Sequence, residues 1–242
     1  MKANGCFSSV TKIAFDYAGT LVQPARSMTA ADLLNACEKC EIDVPEGFES
    51  HLSDVMAEQA RAYRSGCGVD RSFYEQVLAA MRNAGIEPPS AQKLTSALAV
   101  ADRARGQDVT KPGTHAALTT LSRAGYGMVL ASNSRLPAAS RQAALERLGL
   151  AEFFEDVIVS SALGHSKPST AFFDALYRDT EREHILFVGD SFRRDVLGAM
   201  RAGLCALWVA PASFAGTPRL RKRLGVTDSV ARMPELLGVQ TR

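Results

Sequence analysis

The sequence predicts an α/β fold in which a parallel β-sheet is wrapped by helices and interrupted near its start by an all-helical insertion. Three observations carry this. Five short apolar runs alternate with helical patterns, which is the signature of strand–helix–strand units. Each run is nearly continuously apolar instead of alternating, as strands covered on both faces are. Between the first run and the second, from about Pro24 to Gly106, only helical periodicity is present.

The runs, in order, are "TKIAFD" (11–16), "YGMVLAS" (126–132), "EDVIVS" (155–160), "HILFVGD" (184–190) and "LCALWVA" (204–210). Helices separate them, among them "HAALTTLSRAG" (115–125), closed by Gly125, and "PAASRQAALERLGL" (137–150). The insertion holds four segments with apolar residues three and four apart: "AADLLNACEKC", "SHLSDVMAEQARAYR", "SFYEQVLAAMRNAG" and "AQKLTSALAVADRAR". Breakers stand between them at Pro45 and Gly47, at Gly66 and Gly68, and at Pro88 and Pro89. The expected organisation is therefore an α/β core of residues 1–23 and 107–242 with a helical domain of residues 24–106. There is no internal repeat and no low-complexity tract.

Bulk properties narrow the function classes. A chain of 242 residues, 46% hydrophobic and 22% charged, can bury a substantial core. Its formal net charge of +2 creates no field that would make nucleic acid or a membrane surface an expected partner, so a small metabolite is expected instead. The start, "MKANGCFSSVTKIAFD", lacks the apolar core of an export signal, and no segment approaches the roughly 20 apolar residues of a membrane span. A soluble, cytoplasmic protein is expected. Five scattered cysteines do not suggest a disulfide framework. Cys37 and Cys40 form a C-x-x-C pair without a second pair or a histidine to complete a metal site, so plain packing is expected of them.

Ligands of open parallel sheets bind beyond the carboxyl ends of the strands. The residues there are Asp16 after the first run, Ser132 and Asn133 after the second, and Asp190 after the fourth, with Lys167 in the loop "SALGHSKP" that follows the third. An apolar strand ending in a carboxylate at two separate places is a poor core choice and a good metal site. Carboxylate and water oxygens suit Mg²⁺, which commonly bridges to substrate phosphate.

At these residues the chain resembles the haloacid dehalogenase (HAD) superfamily, whose members are mostly phosphatases with four short motifs in fixed order. Here they read "FDYAGTLV", "VLASNS", the lysine of "GHSKPSTAFF" and "FVGDSFRRDVLGAMRAG". The resemblance covers nearly all of the chain outside the insertion, and the insertion stands where that family carries its helical cap. It implies a Rossmann-like, doubly wound parallel sheet. It also implies a nucleophile, Asp16, that takes the phosphoryl group as an aspartyl phosphate. Mg²⁺ would be held by Asp16, Asp190, Asp195 and the backbone carbonyl of Ala18. Ser132 would hold phosphoryl oxygens, Lys167 would neutralise charge, and Thr20 and Asn133 would orient the substrate.

The chain departs from the family pattern at Ala18. Most phosphatases of the family have an aspartate there, as acid for the leaving group and then as base for water, and positioned acid–base catalysis is worth about 10² to 10⁴ in rate. Three readings follow. The first is a Mg²⁺-dependent hydrolase acting on a small phosphorylated metabolite with a good leaving group or a borrowed acid. The second resembles phosphonoacetaldehyde hydrolase, whose first motif also has an aromatic residue and then alanine after the nucleophile, and which uses a cap lysine as a Schiff base. Lys39 and Lys93 are the insertion's only lysines, and neither sits in a setting like that branch's lysine motif. The third is a weakly active protein that binds a phosphorylated ligand.

Other features read as ordinary surface: His165, Arg193 and Arg194, and the run "RLRKR" (219–223), which has no interleaved aromatics. Arg61, Tyr63 and Arg64 are candidates for facing the site from the insertion.

Overall fold

The computed structural model describes residues 5–65, 71–177, 180–215 and 218–239. Its main sheet has seven strands. β1 (Lys12–Phe15), β4 (Gly127–Ser132), β5 (Asp156–Val159), β6 (Ile185–Gly189) and β7 (Cys205–Val209) are the five apolar runs. The order across the sheet is β5-β4-β1-β6-β7-β9-β8, where β8 is Arg219–Arg221 and β9 is Leu224–Thr227. All pairings are parallel except that of β8 with β9.

Continuous apolarity has the predicted cause. β1 is buried at every position, and its side chains divide between two hydrophobic clusters, Ile13 and Phe15 in one and Ala14 in the other. The first cluster takes Leu118 and Leu121 from α5 (Thr114–Arg123) and Leu145 from α6 (Ala138–Arg147). The second takes Phe172 and Phe173 from α8 (Thr170–Asp174) and Ala199 from α9 (Gly198–Arg201). Helices therefore cover both faces, as in a doubly wound sheet. Each fully buried Leu or Phe contributes roughly 1.5–3 kcal/mol of transfer free energy.

The long helical stretch forms α1 (Ala30–Lys39), α2 (Phe48–Ser65), α3 (Phe73–Asn83) and α4 (Ala91–Ala104). Thr29 and Ser72 start α1 and α3 with reciprocal capping boxes, closed by Asp32 and Glu75, and Ser90 caps α4. The inward stripes of these helices make a hydrophobic cluster of their own around Leu33, Leu52, Val77, Met81 and Leu98. Leu136, from the loop after β4, packs into it. The breakers Gly66 and Gly68 lie outside the described residues. The chain leaves and re-enters the sheet region through β2 (Val22–Gln23) and β3 (Val109–Thr110), which pair antiparallel.

One feature adds to the sequence expectation and another departs from it. The "RLRKR" run is the edge strand β8 and the turn into β9; Arg219, Arg221, Lys222 and Arg223 are all exposed along it. Two- to four-residue strands with charged side chains give too little periodicity to be read in advance, and charge on an edge strand discourages pairing with other chains. Cys6 and Cys205 are joined as a disulfide, a pairing that the scattered cysteines of the sequence did not suggest. Their separation of 199 residues hides from spacing rules what the sheet brings together, with the turn around Cys6 lying against β7. Cys37 and Cys40 are free, and burial pushes the Cys37 thiol up to about 11, so it packs as a neutral group. No helix among the described residues is long and apolar enough to cross a membrane.

Candidate active site

β1 lies between β4 and β6, so the residues that follow these three strands emerge side by side at one sheet edge. They are Asp16, Ser132 with Asn133, and Asp190. Asp16 continues β1, donating its backbone N–H to Val188 O at 2.8 Å. Beyond β6 the chain winds into a wide π-type helical turn, Phe192–Leu197, capped by Ser191, which accepts from Arg194 N–H. That turn points Asp195 back under the strand end, where its Oδ2 accepts the Ser191 N–H at 2.8 Å. Such turns are enriched at functional sites because they re-aim one side chain without breaking the helix. A Cβ at Gly189 would collide with the Asp195 carboxyl group, so only glycine lets the carboxylate come this close.

Asp16, Asp190 and Asp195 offer oxygens that all lie within 4.8 Å of one another. Lys167 enters from the loop after β5 and is buried; its Nζ meets Asp16 Oδ1 at 2.7 Å and Asp195 Oδ1 at 2.8 Å, and donates to Ala131 O at 3.1 Å. Burial opposes a charge on this lysine, but Asp16 and Asp195 outweigh burial and hold it protonated, its pKa raised. Burial pushes the Asp195 and Asp190 carboxyls above the ordinary carboxylate range; the charge of Asp16 adds to the effect on both, and Lys167 works against it.

Three carboxylates against one ammonium leave two negative charges in a buried site. Asp190 Oδ1 is buried with no hydrogen-bond partner among the described residues. Buried carboxylate oxygens without a donor are costly unless a cation satisfies them. A small divalent ion with oxygen preference fits this donor set. Gly19, at φ +82°, passes so close to Asp190 that any Cβ there would strike its carboxylate, which keeps the loop after β1 tight over the cluster. Lys111 Nζ donates to Gly19 O from the other side of that loop.

The remaining residues singled out by sequence take distinct places. Thr20 is buried, with Oγ1 3.4 Å from Asp16 Oδ2. The Ser132 hydroxyl is at the sheet edge, within 3.5 Å of Asn133 O. Asn133 clamps the main chain of Lys167: its Nδ2 donates to Lys167 O at 3.1 Å and its Oδ1 accepts Lys167 N–H at 2.9 Å. Ala18 is exposed, on the loop between Asp16 and Gly19. His165, Arg193 and Arg194 are exposed, and the charge of Arg194 is close enough to act on the Asp190 carboxyl; Arg61, Lys39 and Lys93 are exposed as well, and the side chains of Tyr63 and Arg64 lie outside the described residues.

Residues 11–203 match the model of the haloacid dehalogenase-like hydrolase family. The chain belongs to that family. It is 35% identical over 74 residues to the pyrimidine 5'-nucleotidase YjjG of Escherichia coli, a match covering 29% of this chain and 33% of that one. It is 30% identical over 132 residues to the glyceraldehyde 3-phosphate phosphatase of Methanothermobacter thermautotrophicus, covering 52% and 58%. The chain thus spans from a third to somewhat over half of these curated relatives. Among solved folds it is similar to the HAD-hydrolase YfnB of Bacillus subtilis, solved bound to magnesium, with TM-score 0.59, 19% identity and coverage of 95% of this chain and 99% of that one. It is also similar to a 2-haloacid dehalogenase of Pseudomonas syringae, with TM-score 0.62, 23% identity and coverage of 95% and 98%. At such identities these structures support the HAD fold alone.

Several residues around the HAD site were missed by sequence reasoning. Tyr17 turns inward next to Asp16, and its hydroxyl donates to Asp108 Oδ2 at 2.8 Å. Asp108, just before β3, also accepts from Ala25 N at 2.8 Å and pairs with Arg105 at 3.5 Å and Arg141 at 3.4 Å. Burial would raise its pKa, but these hydrogen bonds and charges outweigh burial and hold the carboxyl below its usual value. Arg141 lies 4.0 Å over the Tyr17 ring. None of this had a sequence signal: Arg105 and Arg141 fit the polar stripes of amphipathic helices, and only the fold turns them inward.

Proposed function

We propose that this HAD-family protein is a magnesium-dependent phosphohydrolase that takes a small phosphorylated metabolite, transfers its phosphoryl group to Asp16, and releases phosphate by hydrolysis of the aspartyl phosphate. The observation that carries this reading is the convergence of Asp16, Asp190, Asp195 and Lys167 in one buried cluster with a net excess of two negative charges. Asp16, Asp190 and Asp195 would hold Mg²⁺ together with the Ala18 carbonyl. When bound, the ion supplies charge neutralisation for the incoming dianion.

The protein's own groups account for the rest. Asp16 attacks phosphorus, forming the acyl-phosphate bond as the bond to the leaving oxygen breaks; water then cleaves the intermediate and restores the carboxylate. Lys167 holds Asp16 in place and balances the charge of the phosphoryl oxygens, while Asn133 fixes the lysine's main chain as a positioning residue. Ser132 would hold phosphoryl oxygens, and Thr20, whose Oγ1 is 3.4 Å from Asp16 Oδ2, would orient the nucleophile. Ala18 donates no proton, so the leaving oxygen departs as an anion, which favours acyl and aryl phosphates over alkyl phosphates.

The alternative C–P cleavage requires a cap lysine desolvated near the site. Lys39 and Lys93 are exposed, and Lys93 Nζ donates to Glu41 O at 3.2 Å, so that reading finds no support. The test is release of phosphate from acetyl phosphate and p-nitrophenyl phosphate, with and without Mg²⁺, by wild type and Asp16→Asn. Turnover that requires Mg²⁺ and falls to the buffer background in the variant is expected. A wild type as inert as the variant across acyl, aryl and alkyl phosphates would leave only the binding-protein reading.

A further inference from the structure

Asp190 stands where the pairing of its strand runs out. The register of β6 with β1 ends at Val188 and that with β7 at Gly189, which lies opposite Trp208. Past that point a side chain does what the ladder no longer does: Trp208 Nε1–H reaches back and donates to the Asp190 carbonyl at 2.9 Å. An indole N–H can only donate, and a ring that is half-buried needs an acceptor for it. Here the acceptor belongs to a residue whose carboxylate is one of the three in the cluster.

The same ring steadies the start of the turn that carries Asp195. Phe192, the first residue of the π-type turn, meets Trp208 edge-on, with ring centroids 5.0 Å apart and planes at 61°. Phe214, from the short helix Ala212–Ala215, stands 6.2 Å from Trp208 with its plane tilted by 44°. Trp208 thus touches the chain on both sides of Ser191, at Asp190 through a hydrogen bond and at Phe192 through its ring. The tether matters because the oxygens of Asp16, Asp190 and Asp195 lie within 4.8 Å of one another, where like charges repel. Asp190 Oδ1 has no hydrogen-bond partner among the described residues, so no donor fixes that oxygen. A main chain held from outside keeps the carboxylate in place against the repulsion, and a ligand held in place binds a cation without first having to be ordered.

We propose that Trp208 is a positioning residue of the metal site, its indole N–H holding the Asp190 main chain so that the carboxylate stands ready for Mg²⁺. This role rests on the magnesium reading of the Asp16 cluster. Trp208 is the chain's single tryptophan, so the ring that makes the hydrogen bond is also its one indole fluorophore.

Titration of the whole chain with Mg²⁺ alone, followed by calorimetry and by tryptophan emission, tests this without any substrate. In wild type the emission of Trp208 should change along a curve with the same Kd as the calorimetry, and the change should be lost in Asp190→Asn. Trp208→Phe keeps a ring beside Phe192 and Phe214 but has no donor. Its Mg²⁺ affinity by calorimetry should fall about tenfold, the low end of what losing an outer partner of a metal ligand costs. Phe214→Leu removes a ring and keeps the donor, and should bind Mg²⁺ within about twofold of wild type. The variants are compared at a temperature where circular dichroism shows them folded. Wild-type affinity in Trp208→Phe overturns the role and leaves the magnesium reading standing; so does an equal loss in Phe214→Leu, which would trace the effect to ring packing. Should Trp208→Phe not fold, wild-type emission decides: no change at saturating Mg²⁺, or a change kept in Asp190→Asn, overturns the proposal. A wild type that binds no Mg²⁺ removes the magnesium reading as well.

Discussion

At the scale of single residues, the site is held together by charges that oppose one another. Asp16 and Asp195 share Lys167, whereas Asp190 Oδ1 has no hydrogen-bond partner among the described residues. A ligand that binds only the folded state stabilises it by about 2.7 kcal/mol at a hundred times its dissociation constant. Mg²⁺ should therefore raise the thermal midpoint of wild type. Asp190→Asn removes a repelling carboxylate and a ligand together, so it should melt higher than wild type in EDTA and gain little from Mg²⁺. Differential scanning fluorimetry with both proteins, with and without the ion, checks this; an equal Mg²⁺ shift in the variant would place the ion elsewhere. Ala18 belongs to the same scale. It is exposed, so Ala18→Asp meets no steric obstacle, and a carboxyl group restored there should raise kcat for alkyl phosphates by about 10² or more, within the range of positioned acid–base catalysis. Little change on aryl phosphates is expected, because their leaving groups need no proton.

At the scale of elements, local sequence signals and tertiary packing agree over most of the chain. The four helices of the insertion were legible because caps, breakers and three-four spacing coincide: Thr29 and Asp32 open α1, Ser72 and Glu75 open α3, and Pro88 and Pro89 precede α4. The five core strands were legible because burial on both faces demands unbroken apolar runs. β2, β3, β8 and β9 were not, being two to four residues long and partly exposed. The α1 cap also makes a quantitative prediction. Thr29 Oγ1 accepts the Asp32 N–H at 3.3 Å, and the Asp32 carboxylate accepts from Thr29 and from Arg26 at 2.5 and 2.6 Å. Thr29→Ala should cost about 1 kcal/mol in urea denaturation. The hydrogen bond from Arg26, aided by Thr29, holds the Asp32 carboxyl below its usual value. A carboxyl depressed by folding stabilises the protein above its unfolded pKa of about 4, and that contribution is lost as pH falls below it. The stability advantage of wild type over Asp32→Asn should thus be full at pH 6 and shrink steadily below pH 4. An advantage that did not change with pH would assign it to cap geometry instead of charge.

At the scale of the whole molecule, the sheet edge and the helical stretch meet at a buried polar junction that sequence could not show. The cluster of three carboxylates and a lysine was largely legible, since its members stand at strand ends or in the motif loops; the junction was not, because Tyr17, Arg105, Asp108 and Arg141 are scattered over more than a hundred positions and each alone fits a helix face or a loop. Asp108 is its centre. It accepts from Tyr17 beside Asp16 and from Ala25 where the chain enters the helices, and it pairs with Arg105 from α4 and Arg141 from α6. Removing one partner from a buried charge network leaves the others unpaired, which typically costs 3–5 kcal/mol, roughly the scale of a domain's spare stability. Asp108→Asn keeps the volume and one acceptor, so it isolates the charge. It should lower the unfolding free energy by about 3 kcal/mol, measured by chemical denaturation, because Arg141 loses its counter-charge and Arg105 keeps only Asp102 in a site with little access to water. Arg141 has the weaker remaining partners, and its loss of Asp108 should loosen its stacking on Tyr17, the residue that follows Asp16. Asp108→Asn should therefore also reduce kcat on aryl phosphates at temperatures where the variant is fully folded, even though, among the described residues, none of the hydrogen bonds or ion pairs of Asp108 is with Asp16, Asp190, Asp195 or Lys167. A variant that is destabilised but turns over at the wild-type rate would make the junction purely structural.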